Sequence, residues 1–224
     1  MGEVGTRHSP SAGAKSFSGC WMGREKSHEV IRDATLTFAH ILQKGLESRL
    51  GKEVEVVFDP PSEAKLKEAG PKKALVSLLW VDTGKANIQT AHEPIVREED
   101  EQGNLVEWQL GNPTYVSPRY LVTPWTGNML DDQVLTGMIL QLLGDHCHFE
   151  PEDIQGDAIY GEERPPIAFE EKFKVEDQRK VWEAFGRPYR ASLCYSVALR
   201  LDSTKRKLVR RVKERIIDFK KFEG

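Results

Sequence analysis

Residues 74–82 read Ala-Leu-Val-Ser-Leu-Leu-Trp-Val-Asp, a run in which apolar side chains occupy both alternating sets of positions. A strand of that kind has to be covered on both faces, so the run predicts the middle of a sheet with further layers above and below it. The remaining segments must supply those layers.

Two segments have the required helical stripe. Val30, Ile31, Ala34, Phe38, Ile41 or Leu42 and Leu46 recur three or four residues apart, behind Ser27 as N-cap and ahead of a stop near Leu50 and Gly51. Asn128 caps a second helix, with Asp131 and Asp132 favourably placed in its first turn. Leu130, Val134, Leu135, Met138, Ile139, Leu142 and Leu143 form its buried side, and Gly144 is its C-cap. Residues 175–185 predict a third, short helix that turns Val181, Trp182 and Phe185 to one side and is stopped by Gly186 and Pro188.

Strands are expected at 53–58, where Glu and Val alternate until Asp59-Pro60-Pro61 ends the ladder, and at 119–125, which follows Pro118 and ends or bulges at Pro124. Residues 167–173 and the alternating stretch 193–201 complete the set. The segment 83–113 is polar, acid-rich over residues 97–101, and turns at Gly103 and Asn104, as a long hairpin reaching out of the core would. Helices interspersed with strands make an α+β domain, α/β-like, with one mixed sheet flanked by helices.

Charge separates along the chain. Residues 203–224 carry nine basic groups against three acidic ones, a net +6 that leaves −9 on the rest of a chain whose formal net charge is −3. The predicted organisation is a disordered leader over 1–26, one domain over 27–202 and a basic C-terminal arm over 203–224. The arm's apolar residues fit neither helical nor strand period cleanly. Strand addition to a neighbouring surface is favoured by its β-branched residues, and a basic amphipathic helix is the alternative. Its candidate interface residues are Lys205, Arg206, Lys207, Arg210, Arg211, Val212, Lys213, Arg215, Ile216 and Phe219.

Catalytic signatures are absent from the sequence. No G-x-G-x-x-G, G-x-x-x-x-G-K-[ST] or G-x-S-x-G occurs, and the acidic pairs Glu162-Glu163 and Glu170-Glu171 read as solvated faces. The stretch Gly-Asp-His-Cys-His-Phe-Glu-Pro-Glu-Asp over 144–153 holds zinc-type ligands at the wrong spacing. His146, Cys147 and His148 are consecutive, and no second Cys or His pair stands at a matching distance, so the stretch is expected to be the exit loop of the second helix. Three scattered cysteines suit a reducing compartment, and no apolar run approaches the roughly 20 residues that cross a bilayer.

Six segments in order carry a family resemblance: Val30-Ile-Arg-Asp-Ala-Thr35, Val57-Phe-Asp-Pro-Pro-Ser62, the 74–82 run, Pro118-Arg-Tyr-Leu-Val-Thr-Pro-Trp125, Leu135-Thr-Gly-Met-Ile-Leu-Gln-Leu-Leu143 with a His just after it, and Val181-Trp-Glu-Ala-Phe-Gly-Arg-Pro-Tyr-Arg-Ala-Ser-Leu-Cys-Tyr195. The series resembles the cap, or tail-terminator, proteins of phage-tail-like contractile injection systems, the Pvc-type N-terminal domain family. The resemblance covers about residues 27–202 and is most specific from Trp182 to Tyr195. It departs from the family in the leader and in the acidic insertion around 97–108.

The resemblance implies a structural protein without enzymatic activity or cofactor. It implies a homo-hexameric ring on the distal end of an inner tube protein and a contractile sheath protein, where it ends their polymerisation. Assembly would take place in the bacterial cytoplasm, and the ring would then remain part of the particle. Trp182, Phe185, Gly186, Pro188 and Tyr195 are expected to be structural, with Trp182 and Phe185 packed inward. The competing reading is a nucleic-acid-binding accessory protein that uses the basic arm. Salt separates the two, because phosphate binding weakens steeply with ionic strength and ring formation needs no nucleic acid.

Overall fold

Strand β2 (Lys73–Lys85) is the axis on which the other elements are laid. The computed structural model describes residues 26–69, 73–86, 88, 95–99, 103–159 and 164–209. In it β1 (Glu53–Val57) pairs parallel with one side of β2, and β5 (Thr114–Trp125) pairs antiparallel with the other. Next to β5 comes β7 (Leu193–Val197), then β6 (Ile167–Phe169) at the edge, both antiparallel. β8 (Leu199–Leu201) pairs with the first residues of β5. A second antiparallel sheet joins β3 (Ile95–Glu99), β4 (Leu105–Leu110) and β9 (Arg206–Leu208) in the order β3-β4-β9.

The apolar run divides as its alternation requires. Ala74, Val76 and Leu78 pack into the larger core with α1 (Val30–Leu50) and α3 (Met129–Asp145), around Phe38, Leu42, Ile139 and Leu142. Leu75 and Leu79 face the opposite way, into a smaller core with Leu121, Trp125, Trp182 and Cys194. That side is covered by α2 (Glu63–Glu68) through Leu66 and by α4 (Val175–Ala184) through Trp182. The expected mixed sheet flanked by helices is therefore present, with unequal layers.

Several local expectations are corrected. Ser27 does not cap α1: it begins a 3-10 turn, Ser27–Glu29, and its hydroxyl accepts the Asp202 backbone N–H at 2.7 Å. Gly144 is not the end of α3, which runs to Asp145 with His146 as the capping residue. β5 starts at Thr114 and passes through both Pro118 and Pro124. At each proline β5 has a register partner on the β2 side and none on the β7 and β8 side, so the strand is locally an edge there, the setting in which a strand accommodates proline. The stretch 193–201 breaks at Ala198, whose N–H turns away to the Pro166 carbonyl at 3.2 Å. The strand expected over 167–173 stops at Phe169.

Candidate assembly surface

The segment from Trp182 to Tyr195 ties three elements together. Trp182 is fully buried and meets Trp125 edge to face, with ring centroids 5.8 Å apart. Its indole N–H donates to Ser192 Oγ at 3.3 Å, and Ser192 Oγ is also hydrogen-bonded to Thr123 Oγ1 at 2.7 Å. Gly186, at φ +62, reverses the chain after α4 in a conformation that side-chain-bearing residues rarely adopt. The Arg187 N–H then closes the turn on the Trp182 carbonyl at 3.0 Å. Phe185 is 44% exposed, contrary to the inward packing expected of it, because α4 ends at Ala184 and Phe185 belongs to the outward turn. Pro188 is exposed on the same turn. Tyr195 is buried between Phe38 and Phe169, and burial pushes its phenol up to about 12.

Arg190 completes the arrangement. Its guanidinium lies 4.1 Å from the Trp125 ring centroid, pairs with Asp132 in the first turn of α3, and donates through Nε to the Pro124 carbonyl at 3.2 Å. Asp132 Oδ1 in turn accepts the Thr126 N–H at 2.8 Å and the Thr126 hydroxyl at 2.9 Å. One ion pair thus joins the end of β5, the start of α3 and the turn before β7. Reading the residues alone missed it: Asp132 is explained equally well by the helix dipole, and nothing local in the chain links it to a residue 58 positions away.

A groove of about 610 Å³ opens above this pair, lined by Leu66, Trp125, Met129, Gln133, Thr136 and Tyr189 among others. Its two charged lining groups, Arg190 and Asp132, neutralise each other. The outer side of α3 continues the surface. Leu130 and Val134, expected in the core, are 72% and 57% exposed, and Met129 and Leu140 are exposed beside them. No ionisable side chain lies between Gln133 and Gly144. An apolar, uncharged helix face open to solvent is a candidate docking surface.

At the far end of β5 stands the small sheet. Here β9 adds to β4, with Trp108 opposite Leu208 and the Arg206 guanidinium 5.0 Å from the Trp108 ring centroid. The Val209 N–H donates to Glu107 O at 2.8 Å, and the Gly111 N–H to Lys205 O at 2.9 Å. The first part of the expected arm, with Lys205, Arg206 and Lys207 all exposed, therefore adds as a strand to its own chain. The boundary expected between 202 and 203 falls just ahead of that strand. Arg210, Arg211, Val212, Lys213, Arg215, Ile216 and Phe219 lie outside the described residues, as does the leader up to 25.

The loop after α3 is a structural clamp. His146 Nδ1 lies 3.2 Å from the Leu142 carbonyl, Cys147 Sγ lies 3.0 Å from His148 Nδ1, and His148 bridges to Pro166. Among the described residues no group of three or more His, Cys, Asp or Glu side chains is arranged to hold a metal ion, and no helix is long and apolar enough to cross a membrane. Further on, the loop is fastened to α1. Buried Asp33 accepts the Ala158 N–H at 2.9 Å, Thr37 Oγ1 accepts the Gln155 N–H at 2.9 Å, and Lys44 pairs with Asp153 at 2.7 Å. Gly156, at φ +91, passes so close to the Asp33 carboxylate that a Cβ there would collide with it. Asp33 is a second position whose role the helical stripe did not reveal.

The fold is similar to two structures solved by cryo-electron microscopy. The sheath/tube terminator of an extracellular contractile injection system, PVC, in its extended state, aligns with a TM-score of 0.51 and 17% identity over 95% of this chain and 67% of that one. The tube-terminating cap of the anti-feeding prophage aligns with a TM-score of 0.54 and 20% identity over 80% of this chain and 59% of that one. The chain thus spans about two thirds or less of the length of these relatives. No curated protein matches it significantly. The model of the Pvc16 N-terminal domain matches residues 33–214, a stretch that begins at the buried Asp33 and runs past β9, and the chain belongs to that family.

Proposed function

We propose that the chain is a structural cap: it forms a hexameric ring on the distal end of the inner tube and sheath of a contractile injection system, ends their polymerisation, and performs no catalysis. The observation that carries this reading is the fold shared with a sheath/tube terminator over nearly the whole chain. The uncharged face of α3 supports it, since a terminator must offer an extended surface to its neighbours and no equivalent surface to a further tube subunit. Sixfold symmetry follows if the tube is sixfold, because a heterologous contact that closes makes a ring. The organisation into a leader up to 26, a domain from 27 and a basic C-terminal region is part of this proposal, as is assembly in the bacterial cytoplasm before incorporation into the particle.

Light scattering and electron microscopy of the purified chain, with and without tube and sheath proteins, test it. Sixfold rings, or rings formed on tube ends, are expected. A chain that stays monomeric and never decorates tube ends contradicts the proposal. Association with nucleic acid that falls steeply with salt, in the absence of rings, would favour the accessory-protein reading instead.

A further inference from the structure

We infer that the two outer strands of the small sheet, β3 and β9, pair with each other between neighbouring copies of the chain, an inference that rests on the ring reading above. Both lie at an edge of the order β3-β4-β9, and among the described residues neither has a strand on its outer side. An unpaired edge exposes a row of backbone N–H and C=O groups that a further strand can take up. The register shows which groups these are. The Val209 N–H donates to Glu107 O and the Gly111 N–H to Lys205 O, so Lys205, Lys207 and Val209 turn their backbone groups to β4 and Leu208 turns its own away. On β4 the same alternation directs Val106 and Trp108 to β3, where their register partners are Glu98 and Val96. Ile95, Arg97 and Glu99 therefore turn their backbone groups to the outer edge of β3.

The two edges are complementary in direction and in charge. β3 and β9 both run antiparallel to β4 and so parallel to each other; copies related by rotation about an axis near the strand direction bring β9 of one beside β3 of the next as a parallel pair. Ile95, Gln109 and Lys207 stand in one cross-strand row, which places the side chains of Ile95, Arg97, Glu99 and Lys207 on one face of the sheet. Glu99 and Lys207 are both exposed, and neither has an ion-pair partner among the described residues. Setting Glu99 of one copy against Lys207 of the next joins these opposite charges, and in that register the Leu208 N–H faces the Glu99 carbonyl. A shift of one residue would point the two faces opposite ways, and a shift of two would set Arg97 in place of Glu99 against Lys207.

The same charges select against other pairings. Joining β9 to β9 brings the exposed Lys205 and Lys207 of one copy against those of another. Lysine on a short edge strand ordinarily keeps other strands away, and a strand that carries Glu99 is the exception it admits. Each copy offers one acid-bearing and one lysine-bearing edge, on opposite sides of one sheet. Two different edges that fit each other make a heterologous contact, which runs head to tail from copy to copy and closes into a ring. An isologous pair would need one edge to fit itself.

Charge exchange tests the inference. Glu99→Lys and Lys207→Glu are made singly and together; both positions are solvent-exposed, so melting is expected to be unaffected. Each single variant should raise the concentration at which rings form by roughly tenfold, and the double variant should return it to that of the parent. Leu208→Pro removes the edge-facing N–H without taking a hydrogen bond from β4 and should abolish rings, while Leu208→Ala should keep them. Single variants with the parental concentration dependence, or a double variant that fails to recover, overturn the edge pairing and leave the ring reading standing. Rings from a Leu208→Pro chain that melts normally overturn it too; if that chain melts early, the charge exchange alone decides. A parent chain that stays monomeric even with tube protein defeats the ring reading, and the edge pairing with it.

Discussion

The interactions that matter most at the scale of single residues are those that hold one element to another. Arg190 touches the ring of Trp125, the carboxylate of Asp132 and the carbonyl of Pro124, with its side chain about one third exposed. Arg190→Ala would leave Asp132 under-compensated and the Trp125 face uncovered, and is expected to lower stability by on the order of 2–4 kcal/mol in denaturant melts. Arg190→Lys should recover only part of this, because a point charge cannot pair and stack at once. Trp182→Ala should cost on the order of 3–5 kcal/mol, whereas Phe185→Ala should leave the melt nearly unchanged. The buried tyrosines set the alkaline limit. Burial pushes Tyr120 up to about 12 against its hydrogen bond to Thr35, so the folded chain keeps a proton that the unfolded chain releases above about pH 10. Stability is therefore intact below that pH and falls as pH rises from about 10 towards 12, by up to roughly 1.4 kcal/mol per unit for each such tyrosine. Tyr120→Phe should make the alkaline limb of the melting temperature shallower; an unchanged limb would show that this tyrosine ionises without unfolding the chain.

Among the elements, those with dense apolar patterning were legible in the sequence and those made by long-range pairing were not. The 74–82 run predicted a covered central strand, and residues 74–79 are buried on both faces, while Trp80, where the register with β5 shifts, is 56% exposed. The stripe on α1 likewise identified its buried side. On α3 the same logic overreached: Leu130 and Val134 are apolar at helical spacing, yet they point to solvent. Periodicity reports which residues avoid water and not whether the covering partner is in the same chain. That ambiguity has an experimental use. Leu130→Asp with Val134→Asp should change stability by no more than about 1 kcal/mol, being on an exposed helix face, while abolishing ring formation. A double variant that melts early would place these side chains in the fold instead. The small sheet was foreseen as a protruding hairpin, but not its third strand, since β9 is three residues long and has no period to read. Its pairing changes what a truncation means. Ending the chain after Asp202 removes β9 and leaves a two-stranded hairpin, which is marginal alone. Ending it after Val209 keeps the sheet and removes only the basic segment beyond. If that segment docks on a neighbouring subunit or on sheath, the chain ending after Val209 should match the full chain in melting temperature and bind sheath more weakly, with less dependence on salt. Equal binding by the two would make the segment dispensable.

Taken whole, the molecule is a covered sheet with an apolar groove at one end of β5 and the small sheet at the other; it belongs to the Pvc16 N-terminal domain family, and its fold is similar to two solved terminators. Composition said little about this. A chain of ordinary hydrophobicity and small net charge is compatible with many roles, and the informative sequence feature was an ordered series of motifs whose physical basis, Asp33 under the loop and Arg190 over Trp125, became visible only in three dimensions. The central claim is that the chain stops a polymer. It is tested most directly by polymerising tube protein in the presence of increasing amounts of the chain and measuring tube lengths by electron microscopy. A terminator shortens the mean length as its ratio to tube protein rises, with one end of each tube closed by a ring, and the Leu130→Asp and Val134→Asp double variant does not. Tubes of unchanged length at every ratio, with bare ends, would contradict the claim.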